Sequence, residues 1–190
     1  MCVVAVATAA LVPGVVEAKA KKKTFSSGTV NRAIPQPMGI LQPMLQTNFR
    51  VKPRGKIKDL NVAVRISAPD ARDLTLAVVT PSLTLIRLKE HGFLNEPAGP
   101  DFGSGPPTCS GTPTVFDTQA PTPILQGAPP FLGSYAPDGS LKGANRGRVD
   151  GKWALWVLDE FAGTIGGPSS GATVLNCWKV TVRYKPLRRK

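Results

Sequence analysis

The chain has 190 residues, a formal net charge of +12 and 42% hydrophobic residues. That apolar fraction excludes a disordered chain, and the length suits one domain with a core plus short tails. Nineteen glycines and nineteen prolines are spread along the chain, interrupting helices and favouring short strands joined by turns.

Residues 1–16 are almost wholly apolar or small, and Ala18-Lys19-Ala20 has the small-x-small form of a signal-peptidase site. The run is too short to span a bilayer comfortably. Residues 1–20 therefore read as a signal peptide, and the mature chain as secreted with no membrane segment after cleavage. No Lys or Arg precedes the apolar run, and Cys2 stands at its start rather than after it, where a lipidated cysteine belongs. Cleavage leaves Cys109 and Cys177, and two cysteines in an exported chain are usually one disulfide. Two buried free thiols are the alternative.

Cleavage removes one acid, Glu17, and one base, Lys19, so the net charge stays at +12. Lys21-Lys22-Lys23 stands at the new N-terminus and Arg188-Arg189-Lys190 at the C-terminus. Arg50, Lys52, Arg54, Lys56 and Lys58 flank Pro53-Arg54-Gly55. Aromatic residues make up 6% and do not interleave with these runs, which argues against a nucleic-acid partner. Contact with an anionic cell-envelope polymer suits the charge better.

In chain order, residues 21–24 read as a basic, flexible lead-in, 26–33 as a first short strand and 45–51 as a second. Pro53-Arg54-Gly55 then marks a turn. The clearest strand is 57–67, where Leu60, Val62, Val64 and Ile66 alternate with Asn61, Ala63, Arg65 and Ser67. Residues 74–79 form another strand, with 83–88 as its hairpin partner. Residues 90–113 are long and irregular. Brief strands follow at 115–117 and 131–135, and strong ones at 153–158 and 173–184. In the last, Val174, Asn176, Trp178, Val180, Val182 and Tyr184 share one face by simple alternation. Residues 163–171 connect the two strong strands, and 186–190 form a basic tail. About eight strands without a helix predict an all-β chain, an antiparallel β-sandwich or jelly roll occupying 25–185.

The order of motifs resembles that of the P domain (P/Homo B domain) of the proprotein convertases, subtilisin- and kexin-like proteases. The similar residues are Ala71-Arg72-Asp73-Leu74-Thr75-Leu76 with Val79-Thr80-Pro81-Ser82, then Val115-Phe116-Asp117-Thr118-Gln119-Ala120. Phe131-Leu132-Gly133-Ser134-Tyr135-Ala136-Pro137 comes next, running to Leu141. Gly151, Trp153, Leu155, Val157 and Asp159 follow, then Asn176-Cys177-Trp178. Arg72, Leu83 and Thr118 depart from the pattern, the first two standing where the family has Gly. A non-glycine residue resists positive φ, so those turns are expected to differ. The resemblance implies a galactose-binding-domain-like jelly roll that packs on and supports a subtilisin-like protease, and it carries over no catalytic residues.

The residues themselves point the same way. The single His, His91, stands in an irregular stretch, and no Gly-x-Ser-x-Gly elbow accompanies any serine; Ser110 adjoins Cys109. A paired Cys109–Cys177 leaves no thiol nucleophile. No enzyme activity and no obligate cofactor are expected. Asp73, Asp117 and Asp159 each end a strand inside a motif. They are the candidate ligands of a structural calcium, against the plainer reading that each caps a turn. Trp153 and Trp178 read as core. Trp156, three residues from Trp153, falls on the opposite strand face and is the candidate for stacking on a sugar, as in a carbohydrate or cell-envelope binding module.

Overall fold

The computed structural model describes residues 19–37, 41–92, 96–161 and 172–187. The expected signal peptide, apart from Lys19 and Ala20, lies outside the described residues. So do the 163–171 connection and the last three residues of the tail.

Ten strands are present among the described residues: β1 Lys21–Ser26, β2 Arg32–Ala33, β3 Met44–Val51, β4 Gly55–Ser67 and β5 Leu74–Val79. They continue with β6 Leu85–Lys89, β7 Thr114–Asp117, β8 Gly133–Tyr135, β9 Gly151–Asp159 and β10 Val174–Pro186. Three short 3-10 turns are the only helical pieces described. The strands form two sheets. One runs β1-β10-β4-β7-β8, with β2 also on β10, and the other runs β3-β9-β5-β6. Every pairing is antiparallel except β7 with β8. The chain is an all-β sandwich, as expected from the sequence.

Alternation explains the core. Leu60, Val62, Val64 and Ile66 of β4 face inward and are at most 1% exposed. Each such side chain stabilises the sandwich by roughly 1.5–3 kcal/mol relative to exposure. They meet Leu74, Leu76 and Val78 of β5 and Trp153, Leu155 and Val157 of β9, all fully buried. Phe49 and Trp178 bridge the sheets, with ring centroids 4.5 Å apart. Trp153 donates its Nε1–H to the Val149 carbonyl at 2.9 Å, so the indole is both packed and satisfied.

Three expectations change. The basic lead-in is not a lead-in, because Lys21 to Ser26 pair residue by residue with β10. An edge strand needs to bury only part of one face, so exposed lysines are compatible with it. The shared face expected for β10 breaks near its start, where the register shifts between Leu175 and Cys177. That bulge flips the alternation and turns Leu175, not Val174, into the core. Leu83, expected to alter its turn, instead adopts φ +61 and stays 86% exposed. Thr80 holds the turn by accepting hydrogen bonds from the backbone N–H groups of Ser82 and Thr84.

Residues 101–113 of the long segment return over the outer face of the larger sheet and are fastened there twice. Arg65, 5% exposed, donates to the carbonyls of Ile66 and Gly105 and pairs with Asp101 at 3.3 Å. Cys109 and Cys177 form a disulfide, with Cα atoms 5.1 Å apart and a sequence separation of 68. A loop of that length predicts a stabilisation of about 2–4 kcal/mol, because the bridge restricts the unfolded chain. The Cys109→Ser/Cys177→Ser variant is therefore expected to unfold at lower urea concentration by that margin. An unchanged midpoint would show the bridge to be inconsequential.

Candidate functional site

Eight of the twelve acidic residues gather where β4 leaves the larger sheet and β5 enters the smaller: Asp70, Asp73, Glu90, Glu96, Asp101, Asp138, Asp159 and Glu160. The local fold explains the crowding. Asp70 caps the short turn Ala71–Asp73 by accepting from the Arg72 backbone N–H at 3.0 Å, and its carboxylate grips the Arg72 guanidinium at 2.6 Å. Burial pushes the Asp70 carboxyl up, but the side-chain and backbone hydrogen bonds from Arg72 outweigh it and hold it below the usual range.

Asp73 and Asp159 belong to the same corner, since Leu74 and Asp159 are cross-strand partners. Burial, followed by the charges of Asp70 and Asp159, pushes the Asp73 carboxyl up to about 6. Burial also raises Asp159, opposed by hydrogen bonds from the Phe161 N–H and from the Thr173 hydroxyl at 3.2 Å. Asp117 is elsewhere. It sits on β7 in the other sheet, accepts from Asn61 Nδ2 at 2.8 Å and caps the Gln119 N–H. The three candidate calcium ligands thus do not converge. Among the described residues, no group of three or more His, Cys, Asp or Glu is arranged to hold a metal ion.

The corner holds a cation of its own. The Lys89 side chain is fully buried, and its ammonium donates to the carbonyls of Arg72 and Glu90 at 3.3 and 2.9 Å and to Glu96 Oε2 at 3.1 Å. Burial lowers the Lys89 pKa and raises that of Glu96, and each charge opposes the effect on the other. Gly92 lies against this pair, where a Cβ would overlap the Glu96 carboxylate. Alternation alone would turn Lys89 outward to solvent, and Glu96 lies seven residues on in an irregular segment, so no sequence signal marked the pair.

His91 adjoins the same corner. Its Nδ1 is 3.6 Å from Glu160 Oε1 and its ring meets the edge of Phe161 at 5.8 Å. Ser110 is attached beside the disulfide on the other sheet, its hydroxyl bonded to Thr108 at 2.7 Å.

A second feature is the outer face of the smaller sheet. Trp156 lies on it, opposite the buried Trp153 as alternation requires, and is half-buried between its cross-strand neighbours Gln46 and Ala77. Leu158 continues the strip toward Met44, and Ala154 and Val79 continue it toward Leu85. Met44 is 41% and Leu85 49% exposed. Gln46, Asn48, Arg50, Lys152 and Arg87 rim this strip with exposed polar groups.

No protein-family model matches the chain, and no curated protein matches it in sequence. Among solved structures, a chain in the crystal structure of the Aeromonas sobria serine protease in complex with its chaperone has a similar fold. The TM-score is 0.50, with 14% identity over 88% of this chain. The crystal structure of the Aeromonas sobria serine protease gives a TM-score of 0.48 and 15% identity over 86% of this chain. The matched regions make up 28% and 27% of those chains, so this chain spans little more than a quarter of their length.

Two outcomes follow from the acidic corner. Lys89→Met leaves Glu96 buried and unpaired and is expected to cost about 3–5 kcal/mol in urea unfolding. Adding Glu96→Gln should recover part of that loss; a single variant as stable as the parent would refute a structural role for the pair. Asp73 titrates higher in the folded chain than its ordinary 3.8. The native state therefore binds more protons than the unfolded state between about pH 4 and 6, and stability falls as pH rises through that window. Asp73→Asn should flatten that fall, measured by urea midpoints across the same range.

Proposed function

We propose that this chain is a secreted, non-catalytic, P-domain-like module that docks on a subtilisin-like serine protease and stabilises it. The observation that carries the proposal is the apolar strip on the outer face of the smaller sheet, where partly buried Trp156, Leu158 and Val79 run between exposed Met44 and Leu85. A sandwich buries its inner faces, and an apolar strip left on an outer face with a polar rim has the composition of a protein-docking surface.

Three further observations support it. A sandwich of similar fold occupies little more than a quarter of a chain in the Aeromonas sobria serine protease–chaperone structure. The ordered motifs fall on strands or at their ends: Asp73-Leu74 at the start of β5, Phe116-Asp117 on β7, Gly133 to Tyr135 on β8, and Trp153 to Asp159 on β9. Strand β1 begins at Lys21, so cleavage after Ala20 would leave its pairing with β10 whole.

The test is binding of the purified chain to a secreted subtilisin-like protease from the same source, read by calorimetry and by the protease's thermal stability. Met44→Asp and Leu85→Asp are expected to weaken binding at least about tenfold while leaving the module's own melting temperature unchanged. Binding that ignores both variants would refute docking through this face. Retention on an uncharged polysaccharide that is lost in Trp156→Ala would instead favour a sugar-binding module.

A further inference from the structure

The fold brings together three basic runs that are far apart in sequence. Strand β1 pairs with β10 so that Lys22 lies beside Arg183, and β10 pairs with β4 so that Lys185 lies beside Lys56. Lys56 is in turn bridged to Arg148. Backbone bonds from the Val149 N–H to the Gly55 carbonyl and from the Ile57 N–H to the Gly147 carbonyl flank that last pair. It is therefore the close, non-hydrogen-bonded kind, in which side chains stand nearest. Ile57 and Val149 beside it are fully buried, so Lys56 and Arg148 point outward together.

A bulge adds one more cation. The register skips from Arg183–Asp59 to Tyr184–Ile57, leaving Lys58 as the extra residue. Lys58 is exposed and directly follows buried Ile57. The bulge re-aims a side chain that regular pleating would have to share with its neighbours. Like charges directly opposite one another across strands destabilise a sheet. Here Lys185, Lys56 and Arg148 stand in one such row. Acids beside these cations include Asp150, which pairs with Arg148 at 2.6 Å, and Asp59, which accepts from Gln119.

We propose that this end of the six-stranded sheet is a binding site for a linear anionic polysaccharide. Rows of cations about 4.8 Å apart across neighbouring strands suit an extended polymer whose charges recur along its length. Next to the ladder the surface is polar, with the Thr24 and Thr181 hydroxyls bonded at 2.8 Å. Among the described outward side chains of β1, β10 and β4 at this end, none is aromatic or large and apolar; the half-exposed Leu187 lies past the end of β10, at the margin of the ladder. A protein interface needs such anchors at its centre, and single-stranded nucleic acid needs rings to stack on. The site lies on the opposite sheet from the apolar strip around Trp156, so the two proposals stand or fall separately.

The probes are immobilised heparin, which is sulfated, and polygalacturonate, which is carboxylated, used with the whole mature chain at about 0.15 M ionic strength. Lys56→Glu/Lys58→Glu is compared with Arg32→Glu/Lys142→Glu, which changes net charge equally at exposed sites outside the ladder. The ladder variant is expected to bind at least about tenfold more weakly, with a shallower salt dependence. The comparison variant should change binding less than about twofold. Melting temperatures check that both variants fold, and the ladder variant should not be less stable, since it relieves like-charge pairs. Equal weakening by both variants would overturn the site in favour of non-specific charge. Tighter binding of the parent chain to duplex DNA or to vesicles rich in anionic lipid would overturn the polysaccharide.

Discussion

The pairing of β4 with β10 is the constraint on which the rest of the molecule depends. These two strands run the length of the larger sheet, from Val174 opposite Ser67 to Pro186 opposite Gly55. Their inward side chains supply most of one wall of the core. Their two register shifts set what the outer face presents. The first, at Leu175 and Cys177, turns a cysteine outward to meet Cys109 and so fastens the long loop. The second, at Arg183 and Tyr184, frees Lys58 to stand beside Lys56. Without these two irregularities the same sequence would give a flatter sheet with neither feature.

Charge is sorted to the two ends of this sandwich. At one end eight carboxylates crowd together, and the molecule answers with cations from within: the Lys89 ammonium held by three oxygens and the Arg72 guanidinium held by Asp70. These are buried or half-buried contacts that define a local structure, although Glu96 Oε1 is buried without a hydrogen-bond partner. At the other end the cations are on the surface, and few acids accompany them. The first arrangement is closed on itself, whereas the second lies at the surface. A net charge of +12 is thus unevenly distributed, and the field it produces is directional.

Much of the fold was legible because β4, β5 and β9 alternate cleanly and their ends carry turn residues. The Cys109–Cys177 pair followed from elimination once the first twenty residues were set aside as a leader. What escaped has a physical cause in each case. Lys21 to Lys23 look like a solvated tail because nothing local tells an edge strand from one. The bulge in β10 breaks a period that sequence inspection assumes to be constant. The parallel pairing of β7 with β8, and the stacked Phe102–Phe131 contact just before β8, centroids 4.9 Å apart, join residues that no short-range pattern links. The corner that houses Lys89 is likewise assembled from separate segments. Asp73 and Asp159 could be singled out by their motifs, but only the sheet register shows that they are neighbours and that Asp117 is not.

The first and last described strands of the sandwich, β1 and β10, lie side by side. The larger sheet therefore cannot be completed until the final strand has left the ribosome. Most contacts in such a topology join residues distant in sequence, which slows the search for the native state. Until β10 joins, β1 and β4 lack the strand that lies between them, so the larger sheet closes in one late step.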